Sequence, residues 1–314
     1  MTSDGWPGPS GERVLVTGGG GFIGGRLAAA LVADNDVVVL DDFSTGDRAR
    51  VPEAASLVDG DVRDRATVER TLADVDIVFH QAGLVSVEAS TDDPVGSQSV
   101  NVAGTVQVLD AARKTDTRVV AASSAADYGR PEQVPIAEDD DLTPTSPYGV
   151  DKLALDHYVR LFGELYGLPT VALRYFNVYG PGQPDSGYSG VVSTFLAQAS
   201  QGGPLTVHGD GTQTRDFVHV DDVVRANLLA AETAATGRAF NVGTGTETSV
   251  NELARTVVDV VDTDADIVSV EGRSGDIDRS VADLTAARTT LGYEPTVGLA
   301  DGLETLVPDV GAVS

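Results

Sequence analysis

The chain of 314 residues contains no cysteine. Disulfides, thiolate metal sites and a cysteine nucleophile are thereby excluded. Lysine is almost as scarce, with only Lys114 and Lys152 present. Lysine and arginine together number 21 against 48 aspartates and glutamates, for a net charge of −27. Such a field repels nucleic acid and anionic membranes, so neither is expected as a partner. No apolar run approaches the roughly 18 residues that a bilayer span needs. Stretches such as 27–33 and 37–40 are core-sized. Residues 1–12 are polar and rich in glycine and proline, without the basic and then apolar succession of a secretory signal. They are expected to form a flexible tail, as are residues 308–314, and the cytoplasm is the expected location. The four histidines, His80, His157, His208 and His219, share no ligand spacing, so no metal is expected. His80 and His219 read as structural.

The first half alternates short apolar runs with segments of helical spacing. Residues 13–17, 37–40, 77–80 and 118–123 read as strands buried on both faces. Residues 22–33, 66–73, 95–114 and 148–166 read as helices, the last preceded by Pro147 at a favourable start position. Residues 169–174 add another strand. This alternation predicts an α/β fold, a doubly wound parallel (Rossmann) sheet. Beyond Asn177 glycine and proline cluster, and the later segments predict a smaller C-terminal substrate-binding lobe. The expected division is a dinucleotide-binding domain over 13–176, to which a later strand can return, and a lobe over 177–307.

Strand 13–17 runs into Gly18-Gly19-Gly20-Gly21-Phe22-Ile23-Gly24. A glycine turn between a strand and a helix is the setting in which such a motif binds a pyrophosphate. Gly18 allows the tight turn, Gly21 lets backbone approach the anion, and Gly24 lets helix and strand pack closely. The helix N-terminus adds free N–H groups and a positive dipole end. Asp41 follows about 20 residues on, at a strand end, where a carboxylate accepts from the ribose hydroxyls of NAD and repels the 2′-phosphate of NADP. Tyr148 and Lys152 share one helix face at i, i+4 spacing. An ammonium beside a phenol, together with a positive nicotinamide, favours the phenolate and makes the tyrosine a usable base. One of two lysines in the whole chain stands here.

The Gly-x-x-Gly-x-x-Gly spacing resembles the short-chain dehydrogenase/reductase superfamily, and Thr17-Gly18-Gly19-Gly20-Gly21-Phe22-Ile23-Gly24 is similar to its extended branch, which acts on nucleotide-sugars. The likeness covers the chain from Val14 to about Pro295 and includes 80–83, 101–105 and 175–181. It implies cofactor contacts from Phe22, Ile23, Asp42, Phe43, Ser44, Thr45 and Gly46, from the adenine pair Asp61 and Val62, and from Gln81, Ala82, Gly83, Asn101 and Tyr175. It implies Ser124 as a third catalytic member beside Tyr148 and Lys152. Dehydratases of this kind carry an Asp-Glu pair after the catalytic hydroxyl, where this chain has Ala125 and Ala126. Asp127 replaces the valine usual at its position, and Val85 stands where some 4-epimerases have lysine. On the substrate side the resemblance implies Arg215 and Arg273 at the diphosphate, Asn177 at the diphosphate or the sugar, Asp276 at a ribose hydroxyl, and Val191, Thr206 and His208 around uracil. The resemblance also places Ser280 at the position that gates the sugar pocket, where a small residue is expected to leave space for an N-acetyl group.

The implied activity is NAD-dependent C4 epimerisation of a UDP-sugar by a homodimer. Open alternatives are another epimerase or oxidoreductase on a dTDP- or GDP-sugar, and a non-catalytic dinucleotide sensor. The acidic residues are spread along the chain rather than gathered in a tail. Their mutual repulsion is relieved when salt screens it. The melting temperature is therefore expected to rise between low salt and molar KCl; a flat melting curve series would contradict a salt-adapted surface.

Overall fold

A computed structural model of the chain describes residues 6–183, 190–272 and 277–307. Strand β1 (Arg13–Thr17) leads through the glycine turn into helix α1 (Phe22–Leu31), followed by β2 (Asp36–Asp41), β3 (Ser56–Asp59), α2 (Arg65–Leu72) and β4 (Ile77–His80). Two short helices, α3 (Val87–Asp92) and α4 (Pro94–Gln98), precede a π-helical turn (Ser99–Gly104) that runs directly into α5 (Thr105–Thr115). Then come β5 (Arg118–Ser124), α6 (Pro147–Tyr166) and β6 (Thr170–Tyr175). The rest comprises β7 (Asn177–Tyr179), α7 (Val191–Ser200), β8 (Leu205–His208), β9 (Thr214–Arg215), β10 (Phe217–His219), α8 (Val220–Glu232), β11 (Arg238–Val242), β12 (Thr248–Ser249), α9 (Val250–Val261), β13 (Ile267–Val270) and α10 (Leu299–Glu304).

Seven strands form one all-parallel sheet in the order β11-β6-β5-β4-β1-β2-β3. The doubly wound architecture expected from the alternation is thus present. Side chains alternate between its faces. Val14 and Val16 join Leu27, Leu31 and Val223 on one side, while Leu15 joins Val68, Val108 and Leu155 on the other. Each such buried side chain contributes about 1.5–3 kcal/mol. A third apolar cluster, with Phe195, Leu205, Val207, Leu253 and Val257, forms the core of the later lobe.

Several details depart from the pattern read in the sequence. Strand β3 escapes sequence reading because it is a short edge strand with mostly exposed side chains. The helix expected over 95–114 is broken into three unequal parts by the π-helical turn. The stretch 6–12, expected as part of a tail, is held down instead. Trp6 packs against the core and Pro9 is buried, while the Asn35 amide donates to the Pro9 carbonyl at 2.9 Å. Strand β11, which lies beyond 177 in sequence, pairs with β6 through five residues from Arg238 to Val242.

The β9–β10 junction is anchored by Asp216, which is fully buried. One carboxylate oxygen accepts from Thr244 N and Oγ1, both at 2.7 Å, and the other from Gly245 N at 2.9 Å and Ala282 N at 3.2 Å. One side chain therefore ties three loops of the later lobe together. Asp216→Ala strands all four donors and is expected to cost about 3 kcal/mol or more in urea unfolding, with far-UV dichroism retained.

Candidate active site

The sheet order reverses between β1 and β4, and the crevice at that point is where open α/β sheets take ligands. At its floor the chain turns at Gly18, whose φ is +70°. A Cβ there would lie 2.6 Å from Ala82 N on the opposite loop. At Gly24 a Cβ would lie 2.1 Å from the Gly18 carbonyl oxygen. Gly21 opens α1 with no side-chain cap, and the first turn carries no acid. The N–H groups of that turn, including those of Phe22 and Ile23, thus face no side-chain carboxylate of the helix. This is the cradle an anion requires.

Asp41 ends β2 and is nearly buried. Its two oxygens accept from Gly20 N at 2.8 Å and Phe43 N at 2.7 Å, so the carboxylate ties the glycine turn to the loop that follows. Asp42 accepts from Ser44 N and Oγ within the 42–46 loop, at 2.9 and 2.6 Å. Phe43 holds φ +55°, and the Arg48 guanidinium lies 4.1 Å over its ring while bonding Asp59. Thr45 is exposed, and a Cβ at Gly46 would come within 3.0 Å of Asp41. The Asp61 carboxylate is gripped by Arg63 through Nε at 2.8 Å and Nη2 at 2.5 Å, which holds it below the usual carboxylate range. Any adenine contact must share those oxygens with Arg63. Val62 is buried against Gly104.

Past β4, Gln81 and Tyr175 bond each other at 3.2 Å, and both bond Asn227 of α8 at about 3.0 Å. Asn101 is buried in the π-helical turn, where its side chain accepts from Leu84 N at 2.8 Å and donates to Leu84 O at 3.0 Å. It clamps the loop that carries Ala82 and Gly83. A Cβ at Gly83 would lie 3.4 Å from Lys152 Nζ, so this loop links the glycine turn to α6.

There Ser124, Tyr148 and Lys152 come together. Ser124 ends β5, its Oγ accepting from Ala126 N at 3.1 Å, and its hydroxyl favours ionisation of the nearby Tyr148 phenol. Ser146 caps α6 and Tyr148 N donates to Ser90 Oγ at 3.0 Å, which sets the tyrosine in the first turn. Lys152 is buried, donates to the Ala122 carbonyl at 2.8 Å, and lies 5.9 Å from the Tyr148 ring centroid.

The expected acidification of Tyr148 by Lys152 is not a property of the protein alone. Burial pushes the phenol up to about 12, opposed by the nearby Ser124 hydroxyl and reinforced by Asp127. Lys152 is pushed down to about 8, again by burial, with Asp127 and Asp151 opposing. Desolvation outweighs a lysine whose ammonium is turned to a carbonyl.

On the other side of the crevice, Asn177 N donates to Asp216 O at 3.0 Å, and Val191 opens α7. Thr206 is bonded to Gln198, and the His208 ring to Glu271 O at 3.1 Å. Arg215 Nη1 donates to Thr214 O and Ile277 O at 2.8 and 2.6 Å. Ser280 N donates to Thr214 O at 3.2 Å and the residue is nearly buried. Thr214, Arg215, Ile277 and Ser280 therefore form one cluster. Arg273 and Asp276 lie outside the described residues.

Residues 14–243 match the family described as NAD dependent epimerase/dehydratase. The chain belongs to the NAD-dependent epimerase/dehydratase family. A UDP-glucose 4-epimerase of Mycolicibacterium smegmatis is 40% identical over 301 residues, covering 93% of this chain and 96% of that one. The structure of UDP-glucose 4-epimerase from Thermotoga maritima with UDP-glucose superposes with a TM-score of 0.90 at 36% identity, covering 93% of this chain and 96% of that one. The UDP-N-acetylglucosamine 4-epimerase of Methanobrevibacter ruminantium, in complex with UDP-N-acetylmuramic acid, gives 0.90 at 33% identity over 95% and 99% of the two chains.

NAD, the cofactor of this epimerase/dehydratase family, fits the cradle on the structure's own terms: the start of α1 carries no side-chain cap and no acid, and the turn excludes Cβ atoms at Gly18 and Gly24. Three partners escaped sequence reading. Asn227 is a buried amide on an otherwise apolar helix face, Ser90 lies outside any motif, and Asp151 is an intervening position between Tyr148 and Lys152 that the motif leaves unspecified. Gly24→Ala drives a methyl into backbone that cannot yield. It is expected to weaken NAD binding at least tenfold, about 1.4 kcal/mol, in titration calorimetry, and to lower the melting temperature.

Proposed function

We propose that this protein interconverts the C4 epimers of a UDP-sugar while retaining NAD. The observation that carries the reading is the meeting of Ser124, Tyr148 and Lys152 at the carboxyl end of β5 and the start of α6, joined to the glycine turn by the Gly83 loop. NAD held in this crevice would supply a reversible hydride acceptor for C4, which is the chemistry that passage through a 4-keto sugar requires. Tyr148 removes and restores the C4 hydroxyl proton, with Ser124 holding that hydroxyl and relaying the proton. Lys152 holds its charge beside the phenol and the nicotinamide end of the crevice. Because the protein alone leaves Tyr148 high, the remaining push towards phenolate comes with the positive ring of the cofactor.

Elimination chemistry lacks an acid in the slot after Ser124, since Ala125 and Ala126 occupy it and the Asp127 carboxyl turns to Ser123 instead. Gly18, Gly21 and Gly24 hold the cofactor pyrophosphate in this reading. Asp41 takes the ribose hydroxyls and favours NAD over NADP. Arg215, with Arg273, clamps the UDP diphosphate bidentately. Ser280 leaves room for an N-acetyl group, so UDP-GlcNAc and UDP-GalNAc are substrates beside UDP-glucose and UDP-galactose.

A homodimer belongs to the same reading. Val150, Tyr158, Leu161 and Leu165 expose one apolar stripe along α6, and Val95 of α4 is 76% exposed. The proposal includes a cytoplasmic setting, where nucleotide-sugars are available, and an acidic surface suited to high salt.

Purified protein incubated with UDP-glucose and with UDP-GlcNAc is expected to yield the 4-epimers, resolved by chromatography, without added NADH. Tyr148→Phe is expected to lose about 100-fold or more in kcat while binding NAD normally. Unchanged turnover in that variant rejects the assignment of Tyr148.

A further inference from the structure

Asp127 is fully buried in the short turn that follows Ser124, and the proposed reaction makes no use of it. Its Oδ2 accepts from Ser123 Oγ at 2.8 Å, and its Oδ1 has no hydrogen-bond partner among the described residues. Asp156 of α6 is equally buried and lies 3.4 Å from the same Ser123 hydroxyl. The neighbouring cations serve Asp156: Arg174 reaches it through Nε at 3.0 Å and Nη2 at 3.1 Å, and Arg160 through Nε at 2.7 Å. The remaining Arg174 nitrogen donates to Tyr128 and to the Glu138 carbonyl. Two enclosed carboxyls thus share one hydroxyl, and among the described residues the ion pairs go to Asp156 alone. A carboxylate with a single neutral hydrogen bond in a dry interior takes up a proton instead.

We propose that Asp127 is a positioning residue for Tyr148 and Lys152, held as a neutral acid while the site works and opposing the tyrosine's ionisation once it loses its proton. This inference rests on the roles given to Tyr148 and Lys152 above. The groups that act on Asp127 come from each element around it: Asp156, Lys152 and Tyr148 from α6, and Arg174 from β6. Burial and the Asp156 charge push its carboxyl up to about 7, against the Ser123 hydrogen bond, Arg174 and Lys152. Its negative charge raises both the Tyr148 phenol and the Lys152 ammonium. As pH climbs through 7, the phenolate that a higher pH would otherwise favour is suppressed by the new charge at position 127.

The sign for stability follows from the same shift. A carboxyl raised in the folded state keeps its proton between about pH 4 and pH 7, where the unfolded chain has released it. Its contribution to stability therefore falls across that window and is flat above it.

Asp127→Asn and Asp127→Val test the proposal, the second filling the position with an apolar side chain. Because Lys114 and Lys152 are the only lysines, carbon-13 lysine labelling gives two signals, with Lys114 on the surface as an internal control. Lys152 is expected to titrate at lower pH in both variants than in the parent, with Lys114 unmoved. The kcat/KM profile of the parent is expected to fall several-fold above pH 7 relative to either variant. The melting temperature of Asp127→Asn relative to the parent is expected to rise from pH 5 to pH 8. Coincident Lys152 titrations in the three proteins, or coincident pH profiles, overturn the proposal. Absence of turnover in all three, with a shifted Lys152 titration, rejects the epimerase reading and with it the link to catalysis.

Discussion

His80 ties together the three elements that define the crevice. Its Nδ1 meets Thr17 Oγ1 at 2.8 Å at the end of β1, and its Nε2 meets Thr105 Oγ1 at 3.0 Å at the start of α5. Thr105 donates in turn to the Asn101 carbonyl at 2.6 Å, and Thr17 Oγ1 accepts from Ala82 N at 3.3 Å. Burial holds the ring neutral, with its acidity moved to about 3, so it acts as a fixed relay of one donor and one acceptor. The separation of the two loops above β1 and β4 is therefore set by hydrogen bonds. That separation admits backbone-to-backbone approach at Gly18, and through Asn101 and Gly83 it fixes where the crevice meets α6.

Burial then sets the chemistry of the far end. Tyr148, Lys152 and Asp127 are each driven towards their neutral forms by the same loss of water. Isolated charges are costly there, while paired ones persist, as the Asp156–Arg174 bridge does with both side chains nearly inaccessible. A second array positions the helix that carries Tyr148 and Lys152. Ser97 donates to Asp151 at 2.5 Å and accepts from Asn101 at 3.3 Å, so the clamp on the cofactor loop and the helix share one network.

The surface obeys a different rule. Lys114 sits between Glu69 and Asp110, each at 2.8 Å, and Arg279 pairs with Glu247 through both ends of its fork. Exposed pairs of this kind add little to stability individually. With more than twice as many acids as bases, most surface carboxylates face solvent and their repulsion is left to salt. Of the two lysines, one is spent on this surface and the other lies beneath the candidate site.

The sequence by itself determined the alternation that builds a parallel sheet, the glycine turn and the i, i+4 spacing of Tyr148 and Lys152, because these depend on local periodicity and backbone geometry. It also marked Asp41 at the end of a readable strand, whereas Ser124 was implied by the family resemblance. Tertiary structure alone decided the electrostatics. That Asp127 shares a hydroxyl with Asp156, and that Asn227 joins Gln81 and Tyr175, are facts of packing between distant segments. So is the high affinity of Tyr148 for its proton, which no spacing rule foretells. Acidity depends on which groups water can reach and which charges stand nearby, and neither exists until the chain has closed around them.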